Sequence, residues 1–340
     1  MKKNYWLLLI FLFLGAATAW YMWSAKSQPH KSTLGWDRKF AVDDINQVHK
    51  IFIAKRTGET TTLTRKGDHW LVNGRYKASP NAVENVLEVL EHVTLKFVPP
   101  RPAIDHIVKE IAARGIKVEV YGKDDHPIET FYIGGVTPDA RATYFIHEGS
   151  EQPMAVELPL MEGQVRTRFD FTGDFWRDRT IFDYQPDELQ AVSIEYPKQR
   201  NSSFRLTRKG KGFEVKPFYE NVPPIARPVE NGTVEAFFVN FKKRIAESFD
   251  SEYAFKDSVK ATIPFAIVSV TDTDGQEKQV TFYPYYKRDA QTGVRYTGVV
   301  ERYFLDVDGK DWLLAQHRVF QKIFWPYQSF FEPAGTVVKD

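Results

Sequence analysis

The chain has 340 residues, enough for about two domains of ~150 residues each. Its 46 basic and 44 acidic side chains leave a formal net charge of +2, so we expect no nucleic-acid partner. Cysteine is absent, which excludes disulfides, thiolate metal sites and cysteine nucleophiles, while an aromatic content of 15% predicts a sizeable core.

The first predicted element is a membrane-spanning helix at the N-terminus. Residues 4–23 contain no charged side chain, and at a rise of ~1.5 Å per residue such a helix crosses a hydrocarbon core ~30 Å thick. Aromatic residues that favour membrane interfaces stand at its two ends: Tyr5, Trp6, Trp20, Tyr21 and Trp23. We therefore predict a transmembrane anchor over residues 1–24 and a polar linker over residues 25–35.

The sequence leaves two readings of this segment open. Ala17–Ala19 has the small-x-small form of a signal-peptide cleavage site, but the bulky residues 20–23 extend the apolar run and favour an uncleaved anchor.

The orientation of the segment is predicted from its flanking charges. Lys2 and Lys3 favour a cytoplasmic N-terminus, although basic residues beyond the segment weaken that bias. The expected location is the cytoplasmic (inner) membrane, crossed once, with residues 24–340 outside the cytoplasm.

Residues 36–170 are predicted to form a first α+β repeat with a mainly antiparallel sheet. Short runs rich in β-branched and aromatic residues, separated by Gly, Asn and Asp turns, predict its strands. These runs are Val48–Ala54, Thr60–Thr64, His69–Val72, Ile116–Tyr121, Glu129–Ile133, Tyr144–Ile146 and Met154–Leu160. Ser79-Pro80 marks the start of a helix. Its apolar face recurs at helical spacing, at Val83, Val86, Leu87, Leu90 and Val93. A second helix is predicted over Ala103–Arg114.

A repeated motif predicts where a second copy lies. LTRKGDHW at Leu63–Trp70 recurs as LTRKGKGF at Leu206–Phe213, and the spacing far exceeds the 20–50 residues of a solenoid repeat. Strands, a helix face and a hairpin follow both copies in the same order. We therefore predict a tandem duplication, with a second α+β repeat over residues 171–330 and a tail over residues 331–340. The alternative is one large α+β domain that reuses common turns.

Three finer expectations follow from this alignment. Within the motif, Leu63 and Trp70 are expected in the core, with Arg65 facing water. Near the C-terminus, apolar residues at helical spacing predict a closing helix over Trp312–Trp325. The Pro-rich insert Val222–Pro228 has no counterpart in the first copy, so it is a candidate for a specialised contact.

The most distinctive polar cluster in the sequence lies where the second copy begins. It consists of Trp176, Arg177, Asp178 and Arg179, and it has a weaker counterpart at Trp36 and Arg38. Arginine beside carboxylates can lock a junction through bidentate hydrogen bonds. Alternatively, it can bind a carboxylate or a sugar, with tryptophan as a stacking face. The recurrence favours the structural role and leaves a binding role open.

Catalytic and metal-binding patterns are absent from the sequence. The eight histidines have no close pairing of the kind that binds zinc. Asp306–Asp311 is calcium-like, but its Gly comes fourth where an EF-hand loop needs it sixth, so a hairpin turn is expected. We predict no metal and no cofactor.

The order of several motifs resembles a family of membrane-anchored bacterial proteins known as domain of unknown function 4340. Besides the N-terminal apolar helix, the motifs that carry this likeness are Leu63–Tyr76, Gly115–Tyr121, Tyr132–Asp139 and Trp176–Phe182. The family offers no established catalytic residues. The resemblance implies an accessory or scaffold role in the bacterial envelope, beside an ABC transporter of gliding-type systems.

These observations together predict a non-enzymatic, single-pass envelope protein that binds a protein partner or supports an assembly. The alternative is a module that binds an envelope glycan or another ligand through exposed aromatics, such as Trp176 or those in Tyr283–Tyr286. A hydrolase whose carboxylates have no recognisable pattern is the third possibility.

Overall fold

The computed structural model describes residue 35 and residues 38–159, 161, 163–286 and 298–333. The chain divides into two compact units, Met1–Thr172 and Gly173–Asp340. Both consist mainly of antiparallel sheet with a few helices, which confirms the predicted α+β class. Several predicted positions lie outside the described residues, namely Tyr5, Trp6, Trp20, Tyr21, Trp23 and Trp36. No helix among the described residues is long and apolar enough to cross a membrane.

The first unit is built on one nine-stranded sheet in which all neighbouring strands are antiparallel. The strands are β1 Lys50–Lys55, β2 Thr60–Lys66, β3 His69–Val72, β4 Tyr76–Lys77, β5 Thr94–Phe97, β6 Ile116–Tyr121, β7 Pro127–Val136, β8 Thr143–His147 and β9 Met154–Glu157. Their order in the sheet is β4-β3-β2-β1-β6-β7-β8-β9-β5. The predicted strands of this half are therefore confirmed.

Two helices accompany this sheet, and both were predicted. Helix α1 spans Pro80–His92 and helix α2 spans Arg101–Arg114. The predicted apolar face of α1 is largely buried, although Ser79 makes no side-chain capping hydrogen bond. The buried residues Ile107 and Ile111 of α2 pack against Ile146, Tyr132 and Tyr144 of strands β7 and β8.

The Gly-Gly pair of the Tyr132–Asp139 motif lets α2 approach the sheet closely. A Cβ on Gly134 would lie only 2.5 Å from Cγ1 of Ile111, so no larger residue fits there without a shift. The amide of Gly135 donates to the Glu110 carboxylate at 2.9 Å. The Arg166 guanidinium also donates to the Gly134 carbonyl at 2.9 Å, which fixes the backbone at this position. The motif therefore serves helix–sheet packing.

The second unit contains an eight-stranded antiparallel sheet and a separate two-stranded pair. The strands are β10 Thr180–Phe182, β11 Leu189–Glu195, β12 Phe204–Lys209, β13 Gly212–Pro217, β14 Arg244–Ile245, β15 Ser248–Phe249, β16 Ala266–Asp272, β17 Glu277–Tyr285, β18 Arg302–Val307 and β19 Asp311–Gln316. The large sheet has the order β13-β12-β11-β16-β17-β18-β19-β15, and β10 pairs with β14. The helices are α3 Asn231–Phe238, α4 Lys256–Lys260 and α5 His317–Phe320.

The large sheet of the second unit is covered on both faces at strands β17 to β19. On one face, α3 contributes Val234, Phe237 and Phe238 to the main core. On the opposite face, Tyr283, Phe304 and Trp312 form a smaller cluster with Val259 of α4 and its neighbours. Successive strand residues point to opposite faces, so these strands bury apolar side chains on both sides.

The two units share one strand order. From β3 onward, the first sheet runs β3-β2-β1-β6-β7-β8-β9-β5, and the second runs β13-β12-β11-β16-β17-β18-β19-β15. Counted within each unit, the two series are the same apart from the edge strand β4 and the β10–β14 pair. Along the chain, α1 follows β3 and the short β4 in the first unit, and α3 follows β13, the equivalent of β3, in the second.

The repeated LTRKG motif forms the β2–β3 hairpin in the first unit and the β12–β13 hairpin in the second. Leu63 is fully buried, as predicted. The expectation for Trp70 and Arg65 was wrong. Trp70 is only half-buried, and the Arg65 guanidinium lies 5.0 Å from its ring centroid. These two residues pair across the strands close to the turn of the hairpin, and the Trp70 ring there is only partly covered.

The predicted helix Trp312–Trp325 was also wrong in its first part. Residues Asp311–Gln316 form strand β19, and only the short helix α5 and a 3₁₀ turn follow it. Leu313 and Ala315 face the main core, while Trp312 and Leu314 face the smaller cluster. A strand buried on both faces loses its polar alternation, so its apolar run resembles a helix.

The Pro-rich insert Val222–Pro228 contacts the C-terminal part of its own unit. The Ile225 amide donates to the Tyr327 hydroxyl at 3.2 Å, and Arg227 donates to the Glu332 carbonyl. The adjoining Val229 forms a β-bridge with Phe331, which is buried. The insert therefore has an intramolecular role.

Candidate functional site

The predicted polar cluster begins with one of the largest fully buried side chains of the second unit. Trp176 ends a 3₁₀ turn and is 0% exposed. Arg177 beside it donates to Asp174 at 2.9 Å and to Asp311 at 2.7 Å, and its guanidinium lies 4.1 Å from the Phe249 ring centroid. Burial disfavours the charged guanidinium and by itself would lower the pKa of Arg177. The hydrogen bonds to the two carboxylates favour the charged form more strongly, so the pKa of Arg177 is raised.

The rest of the cluster is also tied into the second unit. Asp178 accepts hydrogen bonds from the Thr180 amide at 3.0 Å and the Thr180 hydroxyl at 2.7 Å. Arg179 donates to the backbone carbonyl of Glu247. Since Trp176 has no exposed face for stacking, this geometry supports the structural alternative. A binding role for the cluster stays a prediction.

Of its weaker counterpart, only Arg38 is described. Arg38 is exposed and lines an open cavity of about 910 Å³ in the first unit. Ile104, Val108 and Met154 supply apolar surface, and the rim carries charges of both signs, including Lys109. A rim of mixed sign selects no particular ligand charge.

A smaller cavity in the second unit has the composition of a binding cleft. It measures about 400 Å³, within the ~300–1,000 Å³ range of small-ligand sites. We call it the aromatic cleft, and it is lined by Lys198, Tyr253, Phe255, Ser258, Val259, Thr262, Ile263, Pro284, Tyr285, Tyr286 and Phe304. These residues come from the segment after β11, the α4 region and the ends of β17 and β18.

The rings of the aromatic cleft form a connected series. Tyr253 contacts Phe304 with ring centroids 4.6 Å apart, and Tyr285 contacts the same Phe304 at 5.1 Å. Tyr253 also meets Phe255 edge-on at 6.0 Å. Phe255 is 63% exposed and Ile263 is 58% exposed, so the cleft presents apolar surface to solvent. Exposed apolar surface of this kind often marks a binding site.

The polar groups of the aromatic cleft are few. Lys198 is its only charged lining residue, and it forms no ion pair with any described residue. Over the described part of the chain, the hydroxyls of Tyr253, Tyr285 and Tyr286 have no hydrogen-bond partner. The Thr262 hydroxyl, by contrast, donates to the Val259 carbonyl at 2.7 Å.

Sequence reasoning found only part of this cleft. It singled out the aromatics in Tyr283–Tyr286, but Tyr283 is buried in the smaller cluster, and only the later residues line the cleft. It missed Lys198, Tyr253 and Phe255, because three distant segments meet here only through the sheet topology. The one local signal was the pair of aromatics in Ser251–Ser258, a polar stretch without strand alternation.

Metal ligation finds no support among the described residues, where no group of three or more His, Asp or Glu side chains could hold an ion. The calcium-like Asp306–Asp311 segment is the β18–β19 hairpin, as predicted, with Asp308 and Gly309 at its turn. Asp306 pairs with Lys260 at 2.6 Å.

Comparison with known proteins gives one match. A family model described as "Domain of unknown function (DUF4340)" matches residues 70–249, more than half of the chain. The range includes Trp176–Arg179 and Lys198 but ends before Tyr253, so most of the aromatic cleft lies beyond it. No curated protein and no solved structure matches the chain significantly.

Proposed function

The chain belongs to the DUF4340 family, and we propose that it is a non-enzymatic envelope protein that binds a protein partner. One membrane helix at residues 4–23 would tether it to the cytoplasmic membrane, with both units outside the cytoplasm. In this role it would serve as an accessory or scaffold component, for example beside an ABC transporter of a gliding-type system.

The uncharged residues 4–23, with aromatics at both ends and two lysines before them, support the tether. A reporter enzyme fused after Asp340 tests the orientation. We expect activity from a reporter that works only outside the cytoplasm. Activity from a cytoplasm-specific reporter at the same position would overturn the assignment.

We also propose that the two units arose by duplication of one sheet domain. The shared strand order, the equivalent helices α1 and α3, and the LTRKG hairpin in the same place of each sheet support this. Such a duplication leaves one copy free to keep a structural role while the other gains a contact. The aromatic cleft is a feature of the second copy.

The single observation that carries the binding function is the aromatic cleft with its exposed Phe255 and with Lys198, which forms no ion pair to the described part of the chain. Aromatic and apolar side chains around a few polar groups are typical of recognition sites. The test is affinity purification of the full chain from membranes, in parallel with Phe255→Ala and with Phe175→Ala as a matched control. A stoichiometric partner lost only in Phe255→Ala is the expected result. Recovery of the same partner with both variants would contradict the proposal.

Glycan binding is the second candidate, because the exposed rings of the same cleft could stack on the apolar face of a sugar. Purified cell-wall glycan offered to the full chain tests it. Saturable binding that Phe255→Ala abolishes, without any co-purifying protein, would favour this candidate over the first.

A further inference from the structure

We infer that the aromatic cleft of the second unit binds a proline-rich, extended segment of the partner, with an acidic residue placed beside Lys198. This inference rests on the proposed partner-binding function and names the chemistry of the segment bound. Shape, hydrogen-bond capacity and charge each lead to it separately.

The shape is that of a surface cleft walled by rings set at angles to one another. The exposed Phe255 ring meets Tyr253 at an interplanar angle of 70°, and Tyr253 in turn packs on the buried Phe304. Angled rings leave shallow grooves between them, which suit the flat pyrrolidine rings of prolines. Polyproline II segments bind aromatic-lined grooves in this way, and their preformed helix loses little conformational entropy on docking.

The hydrogen-bonding groups of the cleft complement such a segment. Each can donate: the Lys198 ammonium and the hydroxyls of Tyr253, Tyr285, Tyr286 and Ser258. No carboxylate and no side-chain amide is among the lining residues. A proline-rich segment has few N–H groups and many free carbonyls, so it presents mainly acceptors. A cleft of donors therefore fits a ligand of acceptors.

A sugar uses the same hydroxyls less selectively than an acceptor-rich segment does. Sugar hydroxyls are donors as well as acceptors, and the side-chain acceptors of the cleft are hydroxyl oxygens alone. Competition between a peptide and a sugar oligomer therefore decides between the two occupants.

Charge complementarity selects an acidic residue within the segment. Lys198 is exposed and has no ion pair among the described residues, while the nearby Lys260 is already paired with Asp306. A carboxylate of the ligand would thus give Lys198 a partner that none of the described residues provides. A pair of this kind contributes more to specificity than to affinity.

Binding of short synthetic peptides to the full-length chain tests the inference, with calorimetry as the readout. The probe is a polyproline peptide with one central Glu, and two further peptides carry Lys in place of Glu or Ala in place of the prolines. We expect saturable binding of the first peptide, and binding of the Ala peptide roughly tenfold weaker or lost.

Two charge variants sharpen this test. Lys198→Glu should weaken binding of the Glu peptide roughly three- to tenfold and strengthen binding of the Lys peptide. Lys211→Glu, in the exposed β12–β13 turn, makes the same change in net charge and should leave both affinities unchanged. Phe255→Ala, at a largely exposed position where folding is not at stake, should weaken both peptides alike.

The outcomes separate this inference from the function on which it rests. Absence of peptide binding, equal effects of Lys198→Glu and Lys211→Glu, or displacement of the peptide by an N-acetylglucosamine oligomer would each overturn the inference. If the co-purifying partner is still lost in Phe255→Ala, the partner-binding function stands while the proline-rich occupant is refuted.

Discussion

Replacing Trp176 by alanine separates a structural role from a binding role for the predicted polar cluster. The indole is completely buried, and truncation of such a side chain costs about 3–5 kcal/mol through lost burial and a residual cavity. Its neighbour Phe175 is 66% exposed, and removal of its ring should change stability by no more than about 0.5 kcal/mol. The two variants thus remove one aromatic ring each, at adjacent positions.

Urea unfolding of the full-length chain, followed by circular dichroism, measures both variants. Since the chain forms two compact units, its unfolding can show two transitions, and only the one that belongs to the second unit should move in Trp176→Ala. The reasoning fails if Trp176→Ala is as stable as Phe175→Ala. Loss of partner or glycan binding in Trp176→Ala at unchanged stability would instead assign the indole to a ligand.

Two further pairs of variants test the packing and the electrostatics of individual sites. Gly134→Ala should destabilise by about 1–3 kcal/mol because its methyl group would collide with α2. Gly232→Ala, at an open position in α3, should be neutral or stabilising by up to about 1 kcal/mol, and thermal melts of both variants measure the difference. Burial raises the pKa of Asp250, so the ionised carboxylate destabilises the folded state. Asp250→Asn should therefore raise the Tm at neutral pH. This gain should fade as the pH falls through the raised pKa, where the carboxyl group is protonated in the wild type. A hydrogen bond from the Asn46 amide lowers the pKa of Asp44, so Asp44→Asn should lower the Tm at neutral pH, with a loss that fades in acid. An equal sign for the last two variants in Tm scans across pH would contradict this account.

Sequence patterns predicted the fold best where one face of an element is buried and the other is exposed to solvent. Helix α1 and strands β1 to β3 are of this kind, and their positions were found to within a few residues. The pattern failed at β19, because Trp312 and Leu314 are covered on the face opposite Leu313. Binary patterning carries no information on a strand that is apolar on both sides.

The candidate site was less predictable than the fold. Tyr285 and Tyr286 belong to a stretch that drew notice as a run of aromatics, but the sequence could not separate them from the buried Tyr283. Lys198 looks like any exposed lysine after a strand, and only its place in the lining of the aromatic cleft gives it a role. Such a site depends on which strand ends lie side by side, and that information resides in the sheet order.

The LTRKG motif shows how a repeated sequence can be explained without a ligand. In the first hairpin, Arg65 lies across from Trp70; in the second, Arg208 lies across from Phe213, with the guanidinium 4.9 Å from the ring centroid. The leucine two residues earlier points to the same face of the sheet and enters the core. The glycine adopts the left-handed backbone that the tight turn needs, with φ of 60° in one copy and 57° in the other. The leucine is thus buried in the core, the arginine covers the ring of the closing aromatic, and the glycine permits the turn. A hairpin that needs all four can be kept in both units by folding alone, so the repeat is an argument for common architecture, and the functional contact is to be sought where the two units differ.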